Sequence, residues 1–171
     1  LSPIEQQNAI AELCYEVGVA FNMNYSSCGS GSQVLRGVNV FPDYFRYMDS
    51  IVLCRRIDYD YRDWTPLIRN EIQAGRPISY RIIGHAIVCD GFQEIEPISY
   101  SHMNYGWGGN QNAWFAIDDL YCPWAGCASS EEYMLTNIAP DRRAYFSVDT
   151  VRGDVPLTVN FTGYSSHATV D

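Results

Sequence analysis

Apolar residues recur at helical spacing near the start of the chain. Ile10, Leu13, Cys14, Val17 and Phe21 share one face, the period-3.6 stripe of an amphipathic helix. Ser2-Pro3-Ile4-Glu5 supplies its beginning: the Ser2 hydroxyl can accept from the Glu5 amide while Glu5 reaches back, and proline suits the first helical position. The pattern predicts a helix over residues 3 to 21 whose apolar face is covered by the core. Periodicity then vanishes from Asn22 to Ser32, a polar, glycine-rich loop that reads equally as a connector or as the wall of a cleft. A short helix is predicted from Pro42 to Tyr47 and a strand over Ile51 to Ile57. A second clear helix runs from Tyr61 to Gly75, with Trp64, Leu67, Ile68 and Ile72 on one side and Gly75 as its stop.

After Pro77 the period changes to short apolar or alternating runs bounded by turn residues: 78–83, 85–89, 98–103, 113–117 and 133–138. Five strands with short links, beside two helices, predict an α+β domain with a mostly antiparallel sheet. The Ala139-Pro140-Asp141-Arg142-Arg143 stretch breaks the pattern, and two further strand-like runs follow, 144–149 and 156–163. Residues 141–171 are fewer than the roughly forty that usually fold unaided. They are expected to be the opening of a second, truncated domain, with residues 1–140 forming the first.

Composition narrows the function. The chain is 47% hydrophobic and 14% aromatic, enough for a real core. Twenty acidic against eleven basic residues give a net charge of -9, which repels a phosphate backbone and argues against a nucleic-acid partner. No apolar run approaches the roughly eighteen residues of a membrane span. The chain begins at Leu1 without a basic head or apolar signal core, so its native start is expected elsewhere. Of six cysteines, Cys122 and Cys127 flank a short Pro-Trp-Ala-Gly loop, and a disulfide there would indicate an oxidising compartment. His85, His102 and His167 lack metal-ligand spacing, so neither a metal nor a cofactor is expected.

One pair of segments carries chemistry. Gly84-His85-Ala86-Ile87-Val88-Cys89-Asp90-Gly91 sets a histidine at the head of an apolar strand, where a rigid backbone can hold a general base. Nineteen residues on, Asn104-Tyr105-Gly106-Trp107-Gly108-Gly109 offers an amide oxygen to orient the imidazole and an indole to exclude water. Residues 92–97 would form the hairpin-like link that brings Asn104 alongside His85. The bland alternatives are a structural histidine and an ordinary aromatic-glycine turn.

These two segments resemble the histidine and Asn-Trp-Gly-Trp-Gly-Gly segments of the streptopain family of bacterial papain-like cysteine proteases. Further stretches are similar in the same order: Glu12 to Ala20, Asn24 to Gly31, and Leu67 to Pro77. The resemblance covers roughly residues 5 to 138. It implies a partial papain-like fold, a polypeptide substrate cleaved through a Cys/His dyad, secretion or display at a bacterial surface, and a possible inhibitory propeptide. By it His85 is the catalytic base, Asn104 and Trp107 support it, Tyr105 replaces the usual Trp, and the loop holding Ser27 and Gly29 borders the cleft. The tail from Phe146 to Gly163 resembles the opening of a PKD domain, an immunoglobulin-like β-sandwich.

The nucleophile is the missing part. In the resembled family it follows a glycine at the start of a buried helix, upstream of the segment matching Leu13 to Ala20. Cys14 falls mid-helix, Cys54 mid-strand, and Cys122 and Cys127 follow the sheet's fourth run. Cys89 is four residues along the strand from His85, about 13 Å at roughly 3.3 Å per residue. Cys28 lies in the loop without a helix start. The nucleophilic cysteine is therefore expected outside this chain, leaving it inactive alone. The competing expectations are a secreted binding or adhesion module on a degenerate scaffold, and a non-protease acyl transferase on the same dyad.

Overall fold

The computed structural model describes residues 2–123 and 128–141, together with the backbone of Tyr145–Val148 and Phe161–Tyr164. The chain divides into two units, Leu1–Ala139 and Pro140–Asp171. In the first, α1 (Pro3–Ala20) begins as the sequence requires, with the Ser2/Glu5 capping box formed and Pro3 in the first turn. α2 (Gly37–Phe45) starts earlier than the expected 42–47 segment and ends where Arg46 turns left-handed. α3 (Tyr61–Gln73) is capped by Asp60, whose side chain accepts from the Asp63 amide at 2.9 Å. Gly75, at φ +71°, takes the left-handed position that ends it.

Six strands make one antiparallel sheet: β1 (Val52–Arg55), β2 (Ile78–Ile82), β3 (His85–Ile95), β4 (Ile98–Asn104), β5 (Ala113–Ala116) and β6 (Tyr133–Thr136). Their order is β1-β6-β2-β3-β4-β5. The 51–57 run thus joins the five later strands in one sheet. β3 is longer than the expected 85–89 run, so β3 and β4 meet at a tight Glu96-Pro97 corner rather than through a 92–97 link. The pleat accounts for the core: Ile78, Tyr80 and Ile82 of β2 and Ile87 and Cys89 of β3 are buried, as alternation along a strand demands. Trp64 and Ile68 of α3 join that buried cluster with Met103, Tyr105 and Met134.

α1 departs from expectation. Its stripe was to be covered by the core, yet Ile10 is 63% exposed and Leu13 55% exposed, and of its residues only Gly18 is buried. Ile4, Tyr15 and Val19, on another side of the helix, are exposed as well. Spacing shows that a helix has an apolar face, not what lies against it. In the second unit, β7 (Tyr145–Val148) lies inside the expected 144–149 run and pairs antiparallel with β8 (Phe161–Tyr164), which overlaps the end of the 156–163 run and extends one residue past it.

One part-buried ion pair ties the end of α3 to the residue that follows β6. The Glu71 carboxylate accepts from Arg76 Nε at 2.8 Å and Nη2 at 2.6 Å, and from the Asn137 backbone N–H at 2.9 Å. Burial pushes this carboxyl up, but Arg76 and the Asn137 amide outweigh it and hold it below its ordinary range. Removing it strands a guanidinium and a backbone donor. Glu71→Ala is expected to cost about 3 kcal/mol, read as a lower urea midpoint at unchanged slope.

Candidate functional site

A two-residue link, Ile83-Gly84, joins β2 to β3 with Ile82 opposite His85. Gly84 sits at φ +71°, a conformation that glycine enters without the penalty of a side chain. Its task is thus the turn itself, which makes His85 the first residue of β3. β3 then pairs with β4 so that Val88 faces Asn104, and continuing that register brings the segment after Asn104 beside His85.

The imidazole is held there. His85 Nε2 lies 2.9 Å from the Tyr105 carbonyl oxygen. A carbonyl can only accept, so Nε2 carries a proton in this pair. Trp107 stacks on the ring at 4.5 Å between centroids and 25° between planes, and Tyr105 lies at 6.2 Å. The Asn104 amide oxygen accepts the Gly106 N–H at 2.8 Å, closing the turn that presents the Tyr105 carbonyl. Gly106 at φ +74° and Gly108 at φ +63° let the chain reverse on both sides of Trp107. Tyr105 is itself anchored: its N–H donates to Asn112 Oδ1 at 2.9 Å, and its hydroxyl donates to the Tyr121 carbonyl at 2.6 Å. Burial pushes that phenol up to about 12. The side chain expected to hold the ring thus closes the turn, and the acceptor on Nε2 is a main-chain atom.

His85 is among the residues that border a cleft of about 720 Å³. Ser30 and Ser32 of the polar loop, Arg55 at the end of β1, Arg81 of β2 and Glu131 also line it. The expected loop therefore reaches the cleft, but through Ser30 and Ser32; Ser27 and Gly29 lie outside the lining. Asn24 and Gly31 bridge the loop's two arms, and Ser26 Oγ donates to the Gly29 carbonyl at 2.5 Å.

Among the described residues, none of the free cysteines lines the cleft. Cys14 and Cys28 are exposed, while Cys54 and Cys89 are buried. Burial pushes the Cys89 thiol up to about 12, which leaves it protonated. Cys122 is disulfide-bonded; its expected partner, Cys127, lies outside the described residues, as does His167. Among the described residues no cluster of His, Cys, Asp or Glu could hold a metal ion, and no helix is long and apolar enough to cross a membrane.

The segment before β6 is fixed by groups that no motif announced. Arg56 donates to Asp118 through Nε at 2.7 Å and Nη2 at 2.6 Å. Glu132 is buried, and its Oε2 accepts from the Tyr80 hydroxyl at 2.5 Å. Burial raises this carboxyl to about 7; the Tyr80 bond and Arg56 oppose the shift, and Asp118 adds to it.

Sequence and structure comparisons place these features among known proteins. A family model described as Peptidase C10 matches residues 2–115. Streptopain of Streptococcus pyogenes is 30% identical over 119 residues, covering 67% of this chain and 29% of streptopain. The thiol protease/hemagglutinin PrtT of Porphyromonas gingivalis is 32% identical over 124 residues, covering 70% of this chain and 14% of that protein. The chain therefore spans less than a third of the length of either relative. Among solved structures, active wild-type interpain A cysteine protease of Prevotella intermedia superposes with a TM-score of 0.66 at 25% identity, over 77% of this chain and 56% of that one. A prointerpain A fragment gives 0.64 at 26% identity.

Glu132 sets a pH dependence. Unfolded, its carboxyl ionises near the ordinary 4.5, and in the fold not until about 7. Between those values the unfolded chain releases its proton first, so this group's contribution to stability falls as pH rises and is constant above the window. Glu132→Gln, which keeps an acceptor for Tyr80, is expected to flatten the decline of the thermal midpoint between about pH 4.5 and 7, measured by melting across that range.

Proposed function

Because this chain belongs to the peptidase C10 family, we propose that it carries the histidine side of a thiol endopeptidase site, with His85 as the acid/base. The observation that carries this reading is the clamp on the imidazole, with Nε2 on the Tyr105 carbonyl and the Trp107 indole against the ring. A ring held in one orientation by a main-chain acceptor and an indole suits proton transfer. Asn104 and Trp107 are positioning residues: one closes the turn that aims the carbonyl, the other packs on the ring. Ser30 and Ser32 take the cleft-wall role expected of Ser27 and Gly29.

In the proposed reaction a cysteine thiol outside these 171 residues gives its proton to His85 Nδ1, and the thiolate attacks the peptide carbonyl carbon. As the tetrahedral adduct collapses, the C–N bond breaks, Nδ1 returns the proton to the leaving amine, and a thioester remains. Water then attacks that thioester with His85 as base, releasing the acid and regenerating the thiol. The free thiols among the described residues are in keeping with an external nucleophile, since Cys89 is buried and protonated and none of the four lines the cleft.

The substrate in this reading is a polypeptide. An inhibitory propeptide is proposed as well, in keeping with the prointerpain A fragment among the similar structures. A secreted or surface location is supported by the disulfide at Cys122, since such bonds persist in oxidising compartments. The β7–β8 pair is compatible with the opening strands of a PKD-like module over residues 141–171.

The 171 residues alone are expected to leave casein intact, whereas a longer protein carrying them is expected to hydrolyse it and to be labelled by a thiol-directed protease inhibitor. His85→Ala in that protein should lower kcat/KM by about a thousandfold or more. Casein turnover by the isolated chain that is lost on His85→Ala would place the nucleophile inside it and overturn the proposal.

A further inference from the structure

The hydrogen bonds around Tyr105 lead from the imidazole to a stretch of chain that no motif assigns to the site. The acceptor for His85 Nε2 is the carbonyl of the peptide between Tyr105 and Gly106, and the N–H of that same peptide donates to Asn104 Oδ1 at 2.8 Å. Beyond it lies Gly106, at φ +74°, where an added Cβ would meet nothing within 4 Å. A glycine in open space leaves the backbone free to rotate. The direction of the carbonyl therefore depends on how firmly Tyr105 itself is held.

Tyr105 is held at both ends. Its N–H donates to Asn112 Oδ1 at 2.9 Å, and its hydroxyl donates to the Tyr121 carbonyl at 2.6 Å. The residue is 1% exposed, and its ring packs edge-on against Phe115 and Tyr121. Burial keeps the phenol protonated, so it stays a donor across the neutral range. The acceptor is restrained in its turn. Three residues before Tyr121, the Asp118 carboxylate accepts from Arg56 through both oxygens, at 2.7 and 2.6 Å. Leu120 packs against the core, and Cys122, the next residue, is disulfide-bonded. A buried hydroxyl thus rests on a carbonyl whose chain is fastened on both sides.

We propose that the Tyr105 side chain is a positioning residue for His85: its phenol, braced by the Tyr121 carbonyl beside the disulfide at Cys122, keeps the Tyr105 carbonyl aimed at the imidazole. This rests on the reading of His85 as the acid/base and adds a residue that acts on it from outside the cleft lining.

The first readout is made on the chain itself and needs no nucleophile. In protein with isotope-labelled histidine, the exchange with water of the His85 Nε2 proton is followed by magnetic resonance. The ring proton of His102, whose Nδ1 lies 2.5 Å from Asp90 on the outer face, is the internal reference. Tyr105→Phe, which removes one oxygen and keeps the ring, is expected to speed exchange at His85 about tenfold and to leave His102 unchanged. Cys122→Ser, which keeps the phenol and loosens its support, should act in the same direction. Because both act through one contact, the double variant should exchange no faster than Tyr105→Phe alone. Glu71→Gln, which weakens the fold at the end of α3, should leave the His85 proton as it is. In a longer protein carrying these residues and hydrolysing casein, Tyr105→Phe should lower kcat about tenfold at a nearly unchanged KM.

Fast exchange at His85 in the unaltered chain, or an unchanged rate in Tyr105→Phe or Cys122→Ser, overturns the proposal. So do effects of the two that add in full, an equal acceleration at His102, or the same acceleration in Glu71→Gln. If the longer protein hydrolyses peptides and Tyr105→Phe leaves its kcat unchanged, the positioning proposal alone fails. If the exchange results hold but the longer protein hydrolyses no peptide, the proteolytic reading alone fails.

Discussion

The antiparallel register of β3 on β4 decides where the imidazole stands and what holds it. Cys89 faces Met103, Gly91 faces His102, and the extra residue between them, Asp90, is bulged out of the ladder. The bulge lets Ile87 and Cys89 on one side of it and Phe92 on the other all reach the core, as their burial and packing show. A slip of one residue would turn this half of β3 over and carry His85 away from the Tyr105 carbonyl. Gly91 fits the same constraint by leaving room for its neighbours, since a Cβ there would come within 2.9 Å of His102 and Trp114. The bulged Asp90 instead meets His102 Nδ1 at 2.5 Å on the outer face.

Around that ladder the site is built mainly of backbone and aromatic surface. The imidazole leans on a carbonyl and an indole, and the carbonyl is aimed by a turn that Asn104 closes from within. The nearby charged groups are spent on structure, with Arg56 bound to Asp118 and Glu132 on Tyr80, fastening the segment that leads into β6.

Much of this was legible in the sequence, for physical reasons. Strand alternation and turn residues located the β2–β3 and β3–β4 ladders, and a glycine before His85 with an aromatic-glycine turn after Asn104 pointed to the two segments that the sheet brings together. What was not legible depends on contacts distant in sequence or on main-chain atoms. No residue type reveals that a carbonyl is the acceptor for His85. The Arg56–Asp118 pair spans 62 positions, and burial of Glu132 follows from where β6 inserts. Ser27 and Gly29 had the composition of a cleft wall, but the bridge between Asn24 and Gly31 brings Ser30 and Ser32 to the cleft instead. The apolar stripe of α1 predicted its helix correctly and its covering incorrectly, because periodicity reports only that a face is apolar.

The position of β6 bears on how the chain can assemble during synthesis. It is the last strand of its unit, yet it lies between β1 and β2. Until Tyr133–Thr136 has left the ribosome, the sheet is two pieces, with an open edge on β1 and another on β2. Thr136 must then find Val52 across 84 residues, a long loop to close before any contact rewards it. Until then both edges can pair with neighbouring chains. Nascent chains therefore stay open to misassembly until nearly the whole unit has been made, and a stop codon even a few residues before β6 would leave the two halves of the sheet without the strand that joins them.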